Sequence, residues 1–226
     1  MNPNFIFAYI NGVSPLFELE PLIKKVQNLE TLIDVGSNKG QFSLLARKHF
    51  PNIEIYSFEP INEEIKKQKK ILGNNKITYY NFALGSRNKL SSFYITNRKD
   101  SSSLLKPIES TNKNYNLNEI RNIKVNRLDK ILEPHKIKRP SLLKLDVQGY
   151  ELEVLKGSSK LLENIDYLIL EVSYLKSYEN QILQKNINTF ILSKFFNLIF
   201  KCNTSKIGKK LFQEDCLYSK KIKNFL

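Results

Sequence analysis

An α/β fold is predicted for this 226-residue chain, with a mostly parallel sheet, helices on both faces and a C-terminal antiparallel hairpin. Three observations predict it. Short apolar runs alternate with amphipathic segments, which is the pattern of βαβ units. Several runs are apolar at consecutive positions, as in strands covered on both faces. Near the end, two strand-like stretches flank a polar turn containing Gly208, the mark of a hairpin.

Residues 1–30 are expected to form an N-terminal helical extension. Thr31–Val35 reads as the first strand, and a helix begins near Gly40, with Phe42, Leu45, Ala46 and Phe50 along one face. Residues 53–58 form the next strand. The helix after Pro60 has Glu63 and Glu64 in its first turn and Lys66, Lys67, Lys69 and Lys70 later, an order that complements the helix dipole. Gly73 is a natural stop. Strands are expected at 77–82, 90–95 and 123–126. The Ser-, Asn- and Lys-rich stretch 97–122 lies between the last two as a polar insertion near the active site. Long polar insertions in compact domains are commonly functional or disordered. Residues 142–145 and 167–172 add two strands. A helix is expected over 150–162, broken near Gly157, and another over 175–192 with Tyr178, Ile182 and Ile191 among its apolar positions. Residues 194–202 and 213–220 make the hairpin. With no internal repeat and no linker, residues 1–226 read as a single domain.

Composition narrows the function classes. No apolar run approaches the roughly 20 residues needed to span a bilayer, so no transmembrane segment is expected. Asn2, Asn4 and Asn11 interrupt the apolar start and no basic region precedes it, which argues against a signal peptide. Cys202 and Cys216 are too few for a disulfide framework and form no metal-ligand cluster, so they read as reduced thiols of a cytoplasmic protein. The net charge of +14 invites a nucleic-acid partner. However, all but six of the 36 basic residues are Lys, scattered over the chain and clustered at the tail in Lys220, Lys221 and Lys223. They read as a solvated face, and no nucleic acid is expected. An acidic acceptor remains compatible with the charge.

Three motifs carry chemistry. The first, 32–40, contains Asp34, Gly36, Ser37, Asn38 and Gly40 at a strand-to-helix turn. Glycines there let backbone approach a ligand, and the following helix offers unpaired N–H groups. Asn38 stands where a dinucleotide fingerprint has glycine, and Asn tolerates the left-handed conformation the turn needs. The second is Phe58-Glu59-Pro60 at the next strand end. Glu59 lies 23 residues after Gly36, the place from which a carboxylate accepts hydrogen bonds from both ribose hydroxyls. The third, 143–151, puts Asp146 at a strand's carboxyl end and Glu151 in the first turn of the next helix. Glu171 ends the following strand on the same edge. Clustered carboxylates repel unless a ligand, metal or proton compensates.

Together these motifs resemble the FkbM family of S-adenosylmethionine-dependent methyltransferases. The resemblance runs from Thr31 to Tyr174. It rests on 34–43, Phe58-Glu59-Pro60, Ala83-Leu84-Gly85, Arg127-Leu128-Asp129, 144–151 and 154–157, with 213–218 like the family's terminal strand. Gln148 stands where Glu is more usual, and Ser101-Ser102-Ser103-Leu104 looks like the family's serine-rich loop. The resemblance implies a class I methyltransferase Rossmann-like fold. It also implies S-adenosylmethionine bound by Asp34, Gly36, Ser37, Asn38 and Gly40 near its amino acid moiety, by Glu59 and Pro60 at the ribose, and by Phe82, Ala83 and Leu84 near the adenine. The acceptor it implies is a hydroxyl on a sugar, glycan or other small molecule.

An alcohol is a poor nucleophile at neutral pH, so a base or metal should help remove its proton, and a positioned carboxylate contributes about 10²–10⁴-fold. Asp146 is expected as base or as ligand of a divalent metal, supported by Glu171 and Glu151. A nicotinamide-dependent oxidoreductase would also suit the glycine turn and Glu59, but the chain lacks a Tyr-x-x-x-Lys pair and a second mononucleotide unit. A nucleic-acid methyltransferase would suit the charge, but the Asp/Asn-Pro-Pro-Tyr signature is absent. A non-catalytic nucleotide-binding protein would leave the carboxylates without a purpose.

Overall fold

A computed structural model describes residues 3–108 and 116–220. Residues 109–115, inside the 97–122 insertion, and the tail lysines Lys221 and Lys223 lie outside the described residues. The N-terminal segment forms α1 (Pro3–Ile10) and α2 (Glu20–Ile23). The repeating units follow as β1 (Thr31–Val35), α3 (Gln41–His49), β2 (Glu54–Phe58), α4 (Asn62–Leu72) and β3 (Ile77–Tyr80). Next come β4 (Ala83–Leu84), β5 (Lys89–Thr96), β6 (Leu117–Asn126), β7 (Ser141–Leu145), α5 (Glu151–Gly157) and β8 (Tyr167–Ser173). The described chain ends with α6 (Gln184–Ser193), β9 (Phe196–Ile207) and β10 (Lys210–Lys220).

The main sheet has seven strands in the order β3-β2-β1-β7-β8-β10-β9. Five run parallel, and β10 is antiparallel to both β8 and β9. A three-stranded sheet, β4-β6-β5, stands beside it. Strand alternation sends side chains to opposite faces. Leu32, Leu142, Ile169 and Leu217 pack on one face with Ala8, Leu22, Ile23, Phe42 and Leu45. Ile33, Leu143, Leu168 and Leu170 pack on the other with Leu152, Leu155, Ile187 and Ile191. Each such buried side chain stabilises the fold by roughly 1.5–3 kcal/mol. Among the described residues, no helix is long and apolar enough to cross a membrane.

Several expected boundaries move. The helix expected over 175–192 is helical only from Gln184. Gln181 replaces the helical ladder with side-chain bonds: its Oε1 accepts from the Ser177 and Tyr178 N–H groups at 2.7 and 3.2 Å, and its Nε2 donates to Ser173 Oγ at 2.9 Å. The helix expected over 150–162 stops at Gly157, and a separate 3₁₀ turn covers Leu161–Asn164. A Cβ at Gly157 would lie 2.0 Å from the Gly85 carbonyl oxygen, so the helix ends where another backbone crosses it. The strand expected over 77–82 stops at Tyr80, because 83–84 turn away to pair with β6. Part of the 97–122 insertion is regular, since β6 begins at Leu117 and pairs along β5. The hairpin strands are longer than expected, at 12 and 11 residues. Cys202 and Cys216 are free thiols.

Candidate active site

The carboxyl ends of the parallel strands open into a cavity of about 430 Å³. In open α/β sheets this is the edge where ligands bind. The sheet order lays the lining out along one line: Pro60 and Phe82 past β2 and β3, Gly36 to Asn38 past β1, Asp146 to Gln148 past β7, and Glu171 on β8. Ala83 and Leu84 also line it, as do Ser101, Ser102 and Leu104.

The turn after β1 is built for close approach. Gly36 has φ +72°, and Asn38 has φ +47°. The N–H groups of Gly36 and Ser37 both donate to the Phe58 carbonyl, at 3.0 and 3.1 Å. Ser37 is buried and engaged, with its Oγ 2.8 Å from both Ser57 Oγ and Gln68 Nε2. The Asn38 N–H donates to Glu59 Oε2 at 2.9 Å, and the Ile61 N–H donates to Glu59 Oε1 at 2.8 Å. Burial pushes the Glu59 carboxyl up to about 7, against the pull of those two amides. Asn38 Oδ1 is buried with no hydrogen-bond partner.

Asp34 and Gly40 lie behind this turn and do not line the cavity. Asp34 is fully buried, accepts from Ser43 Oγ at 2.7 Å and sits 3.7 Å from Lys144 Nζ. Burial raises its pKa against the opposing pull of Lys144. Gly40 caps α3 and packs against Gln68 and Leu72 of α4. Gln68 escapes a reading by residue type, because it sits on a lysine-rich helix. Its periodicity was the available signal: Glu64, Gln68 and Leu72 recur every four residues on the buried face.

Asp146 and Glu171 line the cavity together, and Glu151 sits behind them, near enough that its charge also raises Glu171. Gln148 Nε2 donates to Asp146 Oδ1 at 2.7 Å and reaches Glu171 Oε2 at 3.4 Å. Lys144 Nζ lies 3.3 Å from Asp146 Oδ2. Burial pulls the Lys144 ammonium down, but Asp146 and Asp34 outweigh it and leave its pKa above the usual value. Burial raises Glu171 well above the carboxylate range, and Asp146 and Asp215 add to this. Glu151 is turned back on the preceding loop, where its Oε1 accepts from the Val147 and Gly149 N–H groups at 3.2 and 3.1 Å. The positive φ of Gln148 and Gly149, +55° and +92°, creates that turn. Among the described residues, no group of three or more His, Cys, Asp or Glu could hold a metal ion. The ammonium of Lys144 lies against Asp146 Oδ2.

The serine loop roofs the cavity. Ser103 Oγ donates to the Gln148 carbonyl at 2.8 Å, and the buried Tyr178 hydroxyl lies 2.8 Å from the Ser101 carbonyl and 2.9 Å from Gln148 Oε1. At the other end Lys99 Nζ pairs with the buried Glu64 at 3.3 Å. Sequence reasoning gave Tyr178 and Lys144 no role of their own.

Residues 34–202 match the methyltransferase FkbM domain. The hexuronic acid methyltransferase AglP of Haloferax volcanii is 39% identical over 44 residues, which are 20% of this chain and 18% of that protein. The chain thus matches less than a fifth of that relative's length. Among solved structures, a candidate tRNA methyltransferase from Streptococcus pneumoniae, Sp1610, in complex with S-adenosyl-L-methionine, is similar with a TM-score of 0.52 at 12% identity, over 92% of this chain and 75% of that one. TrmK from M. capricolum, in complex with S-adenosyl-homocysteine, gives a TM-score of 0.51 at 10% identity, over 90% of this chain and 68% of that one. At such identities the likeness is one of fold, which is the class I methyltransferase Rossmann-like fold.

Proposed function

The chain belongs to the FkbM methyltransferase family, and from that membership we propose that it uses S-adenosylmethionine to methylate a hydroxyl of a sugar, glycan or other small molecule. One observation carries this reading. A single cavity joins an unpartnered acceptor, Asn38 Oδ1, and the buried Glu59 to the pair Asp146 and Glu171.

The residues fit the cofactor. Asn38 Oδ1 suits an ammonium donor such as that of the methionine moiety, and Glu59 suits ribose hydroxyls, each oxygen having a lone pair left after its backbone bond. Phe82, Ala83 and Leu84 give an apolar wall for the adenine. When bound, S-adenosylmethionine supplies a methyl group made electrophilic by its sulfonium.

The chain's own residues handle the acceptor's proton. Asp146, whose side chain is 32% exposed, faces the cavity and takes the proton as general base. Lys144 and Gln148 fix its orientation, and Glu171 lies beside it to share the proton. Glu151 supports the 147–149 turn that carries them. We read the N-terminal helices and the 97–122 insertion as parts of the same single domain.

Calorimetric titration with S-adenosylhomocysteine, run beside NAD and repeated on Glu59→Ala, tests the cofactor. Micromolar binding of the first ligand alone, lost in the variant, is expected. A preference for NAD would sink the reading. Asp146→Asn should abolish turnover while ligand binding persists; intact turnover would remove Asp146 from the chemistry.

A further inference from the structure

The cavity continues past Glu171. In the direction of the sheet order its far wall is made by Gln213 on β10, Ser205 on β9, the buried Phe212, and Leu16 and Glu18 from the N-terminal segment. Gln213 Nε2 donates to Glu171 Oε2 at 3.3 Å, and Ser205 is its cross-strand partner. Cys202 Sγ lies 3.6 Å from the Glu18 carbonyl oxygen, which ties the N-terminal segment to β9. All five wall residues fall outside the stretch 34–202 that matches the family, whereas Gly36, Asn38, Glu59 and Asp146 fall inside it. The family match therefore covers the cofactor end and Asp146, and of the far wall Gln213 alone belongs to a stretch, 213–218, that resembles the family.

Two features of that wall select a ligand class. Apolar Phe212 and Leu16 stand beside the amide of Gln213 and the hydroxyl of Ser205, a mixture that suits a ring with C–H faces and hydroxyl edges. Carboxyl groups crowd this end: Asp146, Glu171 and Glu18 line it, and Asp215, the Cα partner of Glu171, lies next to them. Burial and Asp146 raise Asp215 to about 6, as expected where carboxylates crowd. Lys144 is already engaged by Asp34 at 3.7 Å and Asp146 at 3.3 Å. On the roof, Lys99 and Arg98 are paired with Glu64 and Asp100. An anionic group entering this end meets like charge.

Resting on the methyltransferase reading, we infer that this end is the acceptor subsite and takes an uncharged, hydroxyl-rich ring, a neutral sugar unit, in preference to the matching uronate. The AglP relative acts on a hexuronic acid by its name, but a match of 44 residues cannot span a wall that runs from Leu16 to Gln213.

The test is calorimetric titration of protein saturated with S-adenosylhomocysteine, using matched pairs of methyl glycosides and methyl uronosides in the gluco, galacto and manno series. At least one neutral glycoside should bind, with its uronate at least tenfold weaker. Gln213→Leu should weaken the neutral ligand at least tenfold with S-adenosylhomocysteine affinity unchanged, and Phe212→Ala should do the same with a lowered thermal midpoint, since it empties a buried position. Glu18→Gln, an exposed change, should narrow the gap between the members of a pair. A uronate that binds as well as its neutral partner, or silence from every neutral glycoside, overturns the subsite and leaves the methyltransferase reading standing. Failure of S-adenosylhomocysteine itself to bind, seen in the saturating titration, overturns both.

Discussion

The backbone carbonyl oxygen of Asp146 occupies the space beside Gly36, where it would lie 1.9 Å from any Cβ. The Asp146 N–H in turn donates to the Val35 carbonyl at 3.1 Å. The turn proposed to face the cofactor and the turn that carries the candidate base therefore touch backbone to backbone, and neither can shift alone.

Gly36→Ala tests that contact. The positive φ costs a non-glycine residue roughly 1–2 kcal/mol, and the overlap with Asp146 adds roughly 1–3 kcal/mol. Urea unfolding should show a loss of about 2–5 kcal/mol, with S-adenosylhomocysteine binding weakened even where the variant folds. Near-native stability would mean that β1 and β7 separate at little cost.

Glu59, the proposed ribose contact, should make cofactor binding pH-dependent. Its pKa is raised from 4.5 to about 7, chiefly by burial. Between those values the folded protein holds a proton that the unfolded chain has lost, so this part of the stability is present below 4.5 and is lost as pH rises through about 7. Ligand hydroxyls donating to the carboxylate favour its ionised form. Binding should then release a proton, and affinity should rise with pH and level off above about 7. Calorimetry near about pH 6.5 in buffers of different ionisation enthalpy reads this directly. Binding enthalpies that do not vary with buffer would separate Glu59 from the ligand.

The end proposed for the cofactor is marked in the sequence because its signals are local. A buried strand, a glycine turn and a carboxylate at the next strand end follow one another in sequence, and the structure puts Gly36, Asn38 and Glu59 around one cavity. Glu151 stays out of the cavity lining because the Gln148–Gly149 backbone turns it away, which its residue type and helix position do not encode. Tyr178 and Ile182 fitted a helical period, yet they precede a helix that starts at Gln184. Tyr178 is buried through a bond to the serine loop 77 residues earlier, which no local period encodes. The far wall escaped for the same reason: Leu16 and Gln213 meet only after the sheet is assembled.

Gln148 separates Asp146 from Glu171 with a neutral donor. Gln148→Glu would put a third carboxylate there, and like-charge repulsion would hold protons at this site to higher pH. The acid limb of the kcat/KM profile should move up accordingly. Gln148→Leu should lower kcat with KM for S-adenosylmethionine unchanged, since the amide touches no cofactor-end residue. An unmoved acid limb in the Glu variant would show that Asp146 and Glu171 do not carry the essential proton.

Lys144 and Asp34 form a buried pair at neighbouring positions of β7 and β1, with side chains 4% and 0% exposed. Neither charge has water to fall back on. Lys144→Met leaves Asp34 without its cation, and breaking a buried pair costs about 3–5 kcal/mol. Asp34→Asn in the same chain removes the stranded charge while its amide oxygen can still accept from Ser43 Oγ, the 2.7 Å bond of the parent. The double variant should therefore be more stable than Lys144→Met alone, with a coupling on the order of 1–3 kcal/mol in a denaturant double-mutant cycle. Additive losses would show that Asp146 alone holds the ammonium. In that case Lys144 serves the candidate base and not the turn beneath the cofactor.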